Sequence, residues 1–138
     1  MMAMQLSEAA RVLDPRLAGD NVAFRGVSTD TRKLLPGSLY FALQGPNFDG
    51  HAFVEEACDQ GAAAAAVSRP CNSSLPQMEV ADTRLALGQL GAFWRQQFSL
   101  PVVAVTGSNG KTTVRVMIES ILSTCGRVLS TQGNLNND

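Results

Sequence analysis

The residues best equipped for chemistry are Gly107-Ser108-Asn109-Gly110-Lys111-Thr112-Thr113. Two glycines three positions apart let a backbone turn sharply and bring N–H groups against phosphate oxygens. A helix opening at Lys111 would add its unpaired N–H groups and positive dipole end to the same anion. The Lys111 ammonium can reach β- and γ-phosphates, and the Thr112 hydroxyl can ligate Mg²⁺. Lysine is scarce, occurring only as Lys33 and Lys111, so its placement after Gly110 is notable. The spacing departs from the standard phosphate loop, because Val105 stands where the first glycine belongs and Gly107 is only three residues before Gly110. The competing reading is an ordinary glycine turn within a β-α-β unit.

These residues need a strand before them and a helix after them. Residues 102–105 (Val-Val-Ala-Val) form the apolar run expected of a parallel strand buried on both faces. Lys111 onward, Val114, Met117, Ile118, Ile121 and Leu122 give a helical stripe, predicting a helix over 111–124 with a further strand beyond it. Upstream, Leu6, Ala9, Ala10 and Leu13 predict a helix over 5–13, stopped before Pro15. Strands are predicted over 22–29, 38–43 and 78–80, a type II turn around Pro36-Gly37, and a helix over 51–60. The five alanines 62–66 favour a helix by propensity, yet Gly61 reads as a helix-ending residue and the run as a buried strand. Asp82 is an N-cap for a helix reaching about Phe98, with Leu87, Leu90 and Trp94 as its core stripe. The expected class is α/β. A small domain over 1–82 is followed by a connecting helix over 83–99 and, over 100–138, the incomplete beginning of a parallel α/β nucleotide-binding domain.

Composition narrows the function. Of 138 residues, 45% are hydrophobic and the net charge is −1, which supplies a core but no basic face for nucleic acid or anionic membranes. No 18-residue apolar stretch and no basic N-terminal region occur, so a membrane span and a secretory signal are not expected and the location is predicted to be cytoplasmic. Cys58, Cys71 and Cys125 are odd in number and widely spaced, against a disulfide framework or zinc site. His51 is the only histidine and reads as an N-terminal helix residue rather than a ligand.

The segment Thr106-Gly107-Ser108-Asn109-Gly110-Lys111-Thr112-Thr113 resembles the shortened ATP loop of the Mur ligases, enzymes of peptidoglycan precursor synthesis. Folylpolyglutamate synthetases carry a similar loop, so other segments must decide. Val27-Ser28-Thr29-Asp30-Thr31-Arg32, Pro36-Gly37-Ser38-Leu39-Tyr40-Phe41-Ala42-Leu43, Phe48-Asp49-Gly50-His51-Ala52-Phe53 and Gly61-Ala62-Ala63 resemble the N-terminal domain shared by two branches of that family. Thr131-Gln132-Gly133-Asn134-Leu135-Asn136-Asn137 is similar to the branch that adds D-alanyl-D-alanine, where the amino-acid-adding branch carries a threonine pair.

That resemblance implies an ATP- and Mg²⁺-dependent ligase joining D-alanyl-D-alanine to UDP-N-acetylmuramoyl-tripeptide through an acyl phosphate. It implies that Lys111 and Thr112 are catalytic, that Gly107, Ser108, Asn109, Gly110, Lys111, Thr112 and Thr113 bind ATP, and that Thr112 holds the metal. Thr29, Thr31, Arg32, Asn47 and Phe48 would face the uridine and its phosphates, and Asn134, Asn136 and Asn137 would line a substrate loop. The bare residue reading of Ser28 to Arg32 is a capped turn with an Asp30–Arg32 ion pair. The other functional readings are a non-catalytic UDP-sugar or nucleotide-binding module, and a P-loop GTPase or kinase. The GTPase lacks its Asn-Lys-x-Asp motif here. The full-length enzyme is expected to be monomeric. The 138 residues are expected to be its N-terminal portion, inactive on their own.

Overall fold

The structure is a computed structural model and describes residues 3–131. It divides into two compact units, Met1–Ser99 and Leu100–Asp138. In the first, strand β1 (Met4–Gln5) leads into helix α1 (Leu6–Leu13), followed by β2 (Arg16–Ala18), β3 (Ala23–Phe24) and β4 (Val27–Ser28). A 3₁₀ turn (Thr31–Lys33) precedes β5 (Leu39–Phe41), then β6 (Gln44–Gly45) and β7 (Phe48–Asp49) form a hairpin. A second 3₁₀ turn (Gly50–Phe53) runs into α2 (Val54–Asp59), and β8 (Ala64–Val67), β9 (Gln77–Glu79) and α3 (Thr83–Gln96) complete the unit.

The central sheet has the order β2-β9-β8-β5-β4, parallel except for β2. Side chains alternate across it. Leu39, Phe41, Ala64, Ala66 and Met78 pack with α1 and α3 on one face, and Tyr40, Ala65 and Val67 pack with α2 residues Val54 and Ala57 on the other. Burial on both faces explains the alanine run. Ala64–Val67 is a strand with every residue buried, and Gly61, at φ +86°, ends the preceding helix in a conformation costly to other residues. Tertiary pairing on both edges outweighs the helix propensity of alanine. Helix α3 starts as its cap predicts, with the Asp82 carboxylate accepting from the Leu85 N–H at 2.9 Å. The buried Thr83 hydroxyl donates to the Ala42 carbonyl at 2.9 Å, tying α3 to the end of β5.

Several expectations are corrected. The strand predicted over 22–29 is broken at Gly26 (φ +109°): its first part pairs with β1 and its second joins the main sheet beside β5. The helix predicted over 51–60 opens as a 3₁₀ turn, because the Asp49 carboxylate captures the His51 N–H at 3.0 Å and sets a tight first turn. The predicted strand over 78–80 is Gln77–Glu79. The strands β1, β2, β6 and β7 are too short to show an alternating pattern in the sequence.

In the second unit the one regular element among the described residues is α4 (Lys111–Leu122). Residues 102–105 form no strand, and Val102 and Val103 are exposed at 66% and 59%. A strand exists only through a ladder, and no other segment among the described residues of this unit pairs with the run. For the same reason the strand expected after α4 is not formed over residues 127–131. No helix among the described residues is long and apolar enough to cross a membrane.

Candidate functional site

Two places gather the candidate site residues, one in each unit. The first is a cavity of about 520 Å³ lined by Thr29, Asp30, Thr31, Arg32, Tyr40, Phe48, Phe53 and Glu56. Its loop follows β4, at the C-terminal edge of the parallel strands, where ligands of open α/β sheets gather. Asp30 caps the Thr31–Lys33 turn by accepting the Arg32 N–H at 3.0 Å. The same carboxylate accepts from Arg32 Nε at 2.9 Å and Nη2 at 2.8 Å, a two-pronged pair. The capped turn and the ion pair are therefore both present, and both belong to the cavity wall. The Arg32 hydrogen bond holds the Asp30 carboxyl below its usual range, and Asp30 in turn raises the Arg32 guanidinium. With Nε and one Nη2 hydrogen so engaged, three guanidinium hydrogens stay available to an anion.

Across the cavity, Phe48 and Phe53 are 49% and 41% exposed, unusual for phenylalanine and suited to a flat ring stacking on them. Tyr40 forms the floor. It is 1% exposed and its hydroxyl donates to the buried Gly50 carbonyl at 3.0 Å. Burial pushes the phenol up to about 12, so it stays protonated and donating. Glu56, on α2, brings a carboxylate one turn beyond Phe53, on the same side of that segment.

Of the residues singled out in the sequence, Thr29, Thr31, Arg32 and Phe48 meet in this wall. Asn47 does not: it sits exposed in the two-residue turn between β6 and β7. Asn134, Asn136 and Asn137 lie outside the described residues. Tyr40, Phe53 and Glu56 were not anticipated. The i, i+3 spacing of Phe53 and Glu56 was a usable signal, but Phe53 reads equally well as core. Among the described residues no cluster of His, Cys, Asp and Glu could hold a metal ion.

The second place is the loop before α4. Gly107 and Gly110 adopt φ +145° and +76°, values that side-chain-bearing residues rarely take, and Gly110 is the N-cap of α4. A Cβ at Gly110 would meet nothing within 4 Å, so backbone conformation rather than crowding calls for glycine there. The first N–H groups of α4, carried by Lys111, Thr112 and Thr113, have no intrahelical acceptor. Lys111 forms no ion pair among the described residues. The donor set of backbone N–H groups, one ammonium and adjacent threonine hydroxyls fits a polyphosphate with a hard divalent cation.

The chain matches the Mur ligase family, catalytic domain, over residues 23–95 and the Mur ligase middle domain over residues 105–138. It is 51% identical over its whole length to the UDP-N-acetylmuramoyl-tripeptide--D-alanyl-D-alanine ligase of Escherichia coli, of which it covers 30%. Among solved structures, MurF from Acinetobacter baumannii is 39% identical, with a TM-score of 0.89 over 99% of this chain and 31% of that one. MurF from Thermotoga maritima, solved in complex with ADP, is 34% identical, with a TM-score of 0.70 over 81% of this chain and 26% of that one. The chain thus spans under a third of the length of these relatives. With the cavity and the glycine loop each falling within a matched region, the chain belongs to the Mur ligase family.

Proposed function

We propose that this chain is the N-terminal portion of a D-alanyl-D-alanine-adding ligase. Its first unit receives the uridine diphosphate end of UDP-N-acetylmuramoyl-tripeptide, and its second begins the ATP site. The observation that carries the reading is the meeting of Thr29, Thr31 and Arg32 with Phe48, Phe53 and Tyr40 around one cavity. Its volume of about 520 Å³ lies in the range of small-molecule sites. The chemistry is divided accordingly: two phenylalanine faces for a base, threonine hydroxyls for its edge or the ribose, and the free Arg32 donors for a phosphate.

In the second unit Gly107, Ser108, Asn109 and Gly110 would wrap phosphate oxygens with backbone N–H groups. Lys111 would neutralise charge on the transferring group, and Thr112 and Thr113 would present hydroxyls, Thr112 to Mg²⁺. Bound ATP supplies the phosphoryl group that activates the tripeptide carboxylate as an acyl phosphate, which the D-alanyl-D-alanine amine then attacks. The work of this chain's residues is positioning and electrostatic stabilisation. Asn47, Asn134, Asn136 and Asn137 are proposed as further substrate contacts, the whole enzyme as a cytoplasmic monomer, and the 138 residues alone as inactive in amide formation.

The test is phosphate release by the full-length protein given ATP, UDP-N-acetylmuramoyl-tripeptide and an acceptor. Release with D-alanyl-D-alanine and not with a single amino acid supports the proposal. Release with UDP-N-acetylmuramoyl-dipeptide and a single amino acid would assign the protein to the amino-acid-adding branch. No release with any acceptor, despite UDP binding, would leave a non-catalytic binding module.

A further inference from the structure

We propose that His51 is a positioning residue for the cavity of the first unit: as the Nδ1–H tautomer it bolts the Phe48–Phe53 stretch to the end of β8. The aromatic wall is thereby held in place for its ligand. This rests on the reading of the cavity as a uridine diphosphate site.

His51 is 7% exposed, and its ring bridges two segments far apart in sequence. Nδ1 lies 2.6 Å from Asp49 Oδ1, and Nε2 lies 2.9 Å from the backbone nitrogen of Ser68, just past β8. A backbone N–H can only donate, so Nε2 must offer its lone pair and carry no proton. An ionised carboxylate can only accept, so Nδ1 must carry the proton. Both partners select the same tautomer. Asp49 is fixed in turn, accepting the His51 backbone N–H at 3.0 Å with Oδ1 and pairing with Arg69 through Oδ2. The Cys71 thiol contacts the His51 carbonyl at 3.8 Å.

The residues so held are the cavity's own. Phe48 adjoins Asp49 in β7, and Phe53 ends the turn that contains His51. Gly50, one residue before His51, supplies the carbonyl that orients the Tyr40 hydroxyl. Releasing the imidazole would free the wall carrying both phenylalanines while leaving Arg32 and its loop untouched.

Asp49, His51 and Ser68 also line up as a carboxylate, an imidazole and a hydroxyl, with Ser68 Oγ 3.0 Å from Nε2. That arrangement is met in acyl-transfer enzymes. Here the single Nε2 lone pair is already taken by the Ser68 N–H, so it is not free to act as a general base for the hydroxyl. The geometry is that of a clamp.

Because His51 is the only histidine, an untagged ¹⁵N-labelled chain gives one set of imidazole signals. Long-range ¹H–¹⁵N correlation near neutral pH is expected to show a protonated Nδ1 and a bare Nε2; an Nε2–H tautomer or an imidazolium would overturn the clamp. Titration with UDP, followed by NMR, tests the positioning. His51→Asn keeps a donor toward Asp49 but cannot reach Ser68, and His51→Gln offers Ser68 an acceptor but loses the donor to Asp49. Each is expected to weaken UDP binding by about tenfold, the scale of one lost hydrogen bond. Ser68→Ala keeps the backbone N–H and is expected to bind UDP within about twofold of wild type. Folded Asn and Gln variants that bind like wild type, or a Ser68→Ala loss equal to theirs, would overturn the positioning role. If wild type itself binds no UDP, the assignment of the cavity fails, and the positioning role with it; the tautomer measurement then still judges the clamp by itself.

Discussion

Gly50→Ala tests how the cavity wall is supported. A Cβ built on Gly50 would lie 2.7 Å from the Leu43 carbonyl oxygen and 2.8 Å from the Leu43 nitrogen. Both atoms are backbone and cannot rotate away. Crowding of this kind costs about 1–3 kcal/mol. Relief requires the turn to retreat, which stretches the Gly50 N–H to Leu43 carbonyl bond (2.7 Å) and the Tyr40 hydroxyl to Gly50 carbonyl bond (3.0 Å). Those two bonds contribute about 0.5–1.5 kcal/mol each, while alanine returns about 0.4–1 kcal/mol by restricting the unfolded chain. The net loss lies between about 1 and 6 kcal/mol, centred near 3 kcal/mol, which corresponds to a fall in Tm of roughly 12–25 °C for a domain of this size. Gly88→Ala supplies the opposite sign from the same chemical change. Gly88 lies within α3 with nothing near its missing Cβ, so alanine gains about 0.5–1 kcal/mol of helix propensity. Trp94, the only tryptophan, sits in α3 and reports by fluorescence on this unit alone. A Gly50→Ala chain melting within 2 °C of wild type, roughly a quarter to a half of a kcal/mol on the same scale, would refute the close-packed wall.

Other outcomes follow from the same contacts. The Arg69 ion pair, with the His51 hydrogen bonds, holds the Asp49 carboxyl well below the usual carboxylate range. Its stabilising contribution is therefore complete above pH ~4 and is lost as pH falls below that value; Asp49→Asn should flatten this acid limb in denaturation curves, and unchanged limbs would contradict the pairing. Tyr40 is shifted the other way, up to about 12, so its contribution is complete below pH ~10 and is lost as pH rises from there through 12. Tyr40→Phe should remove that alkaline limb and cost about 1–3 kcal/mol at neutral pH, because the buried Gly50 carbonyl loses its phenol partner. In the full-length enzyme, Lys111→Ala should abolish turnover while leaving calorimetric binding of the UDP substrate within about twofold; equal loss of both would refute the division of labour between the units.

Much of the first unit could be read from residue types. Gly37, at φ +81°, follows Pro36 in a turn closed by the Ser38 N–H to Leu35 carbonyl bond, as a Pro-Gly pair requires. The alanine strand was legible because Gly61 punctuates it. What escaped the sequence depends on partners distant along the chain. Two-residue strands such as β1 and β6 carry no period to detect, and the break at Gly26 exists because two different neighbours claim the two halves of one predicted strand. The run over 102–105 shows the converse: strong strand propensity forms no strand without a second edge. In the cavity, Thr29, Thr31, Arg32 and Phe48 were legible as motif residues. Tyr40 was not, because a strand residue with a buried ring looks like core until its neighbours leave a cavity above it.

Uridine diphosphate is proposed to bind the first unit in the cavity between the Thr29–Arg32 loop and the Phe48–Phe53 wall. The most direct measurement is ¹H–¹⁵N chemical-shift mapping of the 138-residue chain titrated with UDP. Saturable shifts are expected, concentrated at Thr29, Thr31, Arg32, Phe48 and Phe53. Absence of saturable shifts, or shifts centred on residues outside that wall, would contradict that assignment.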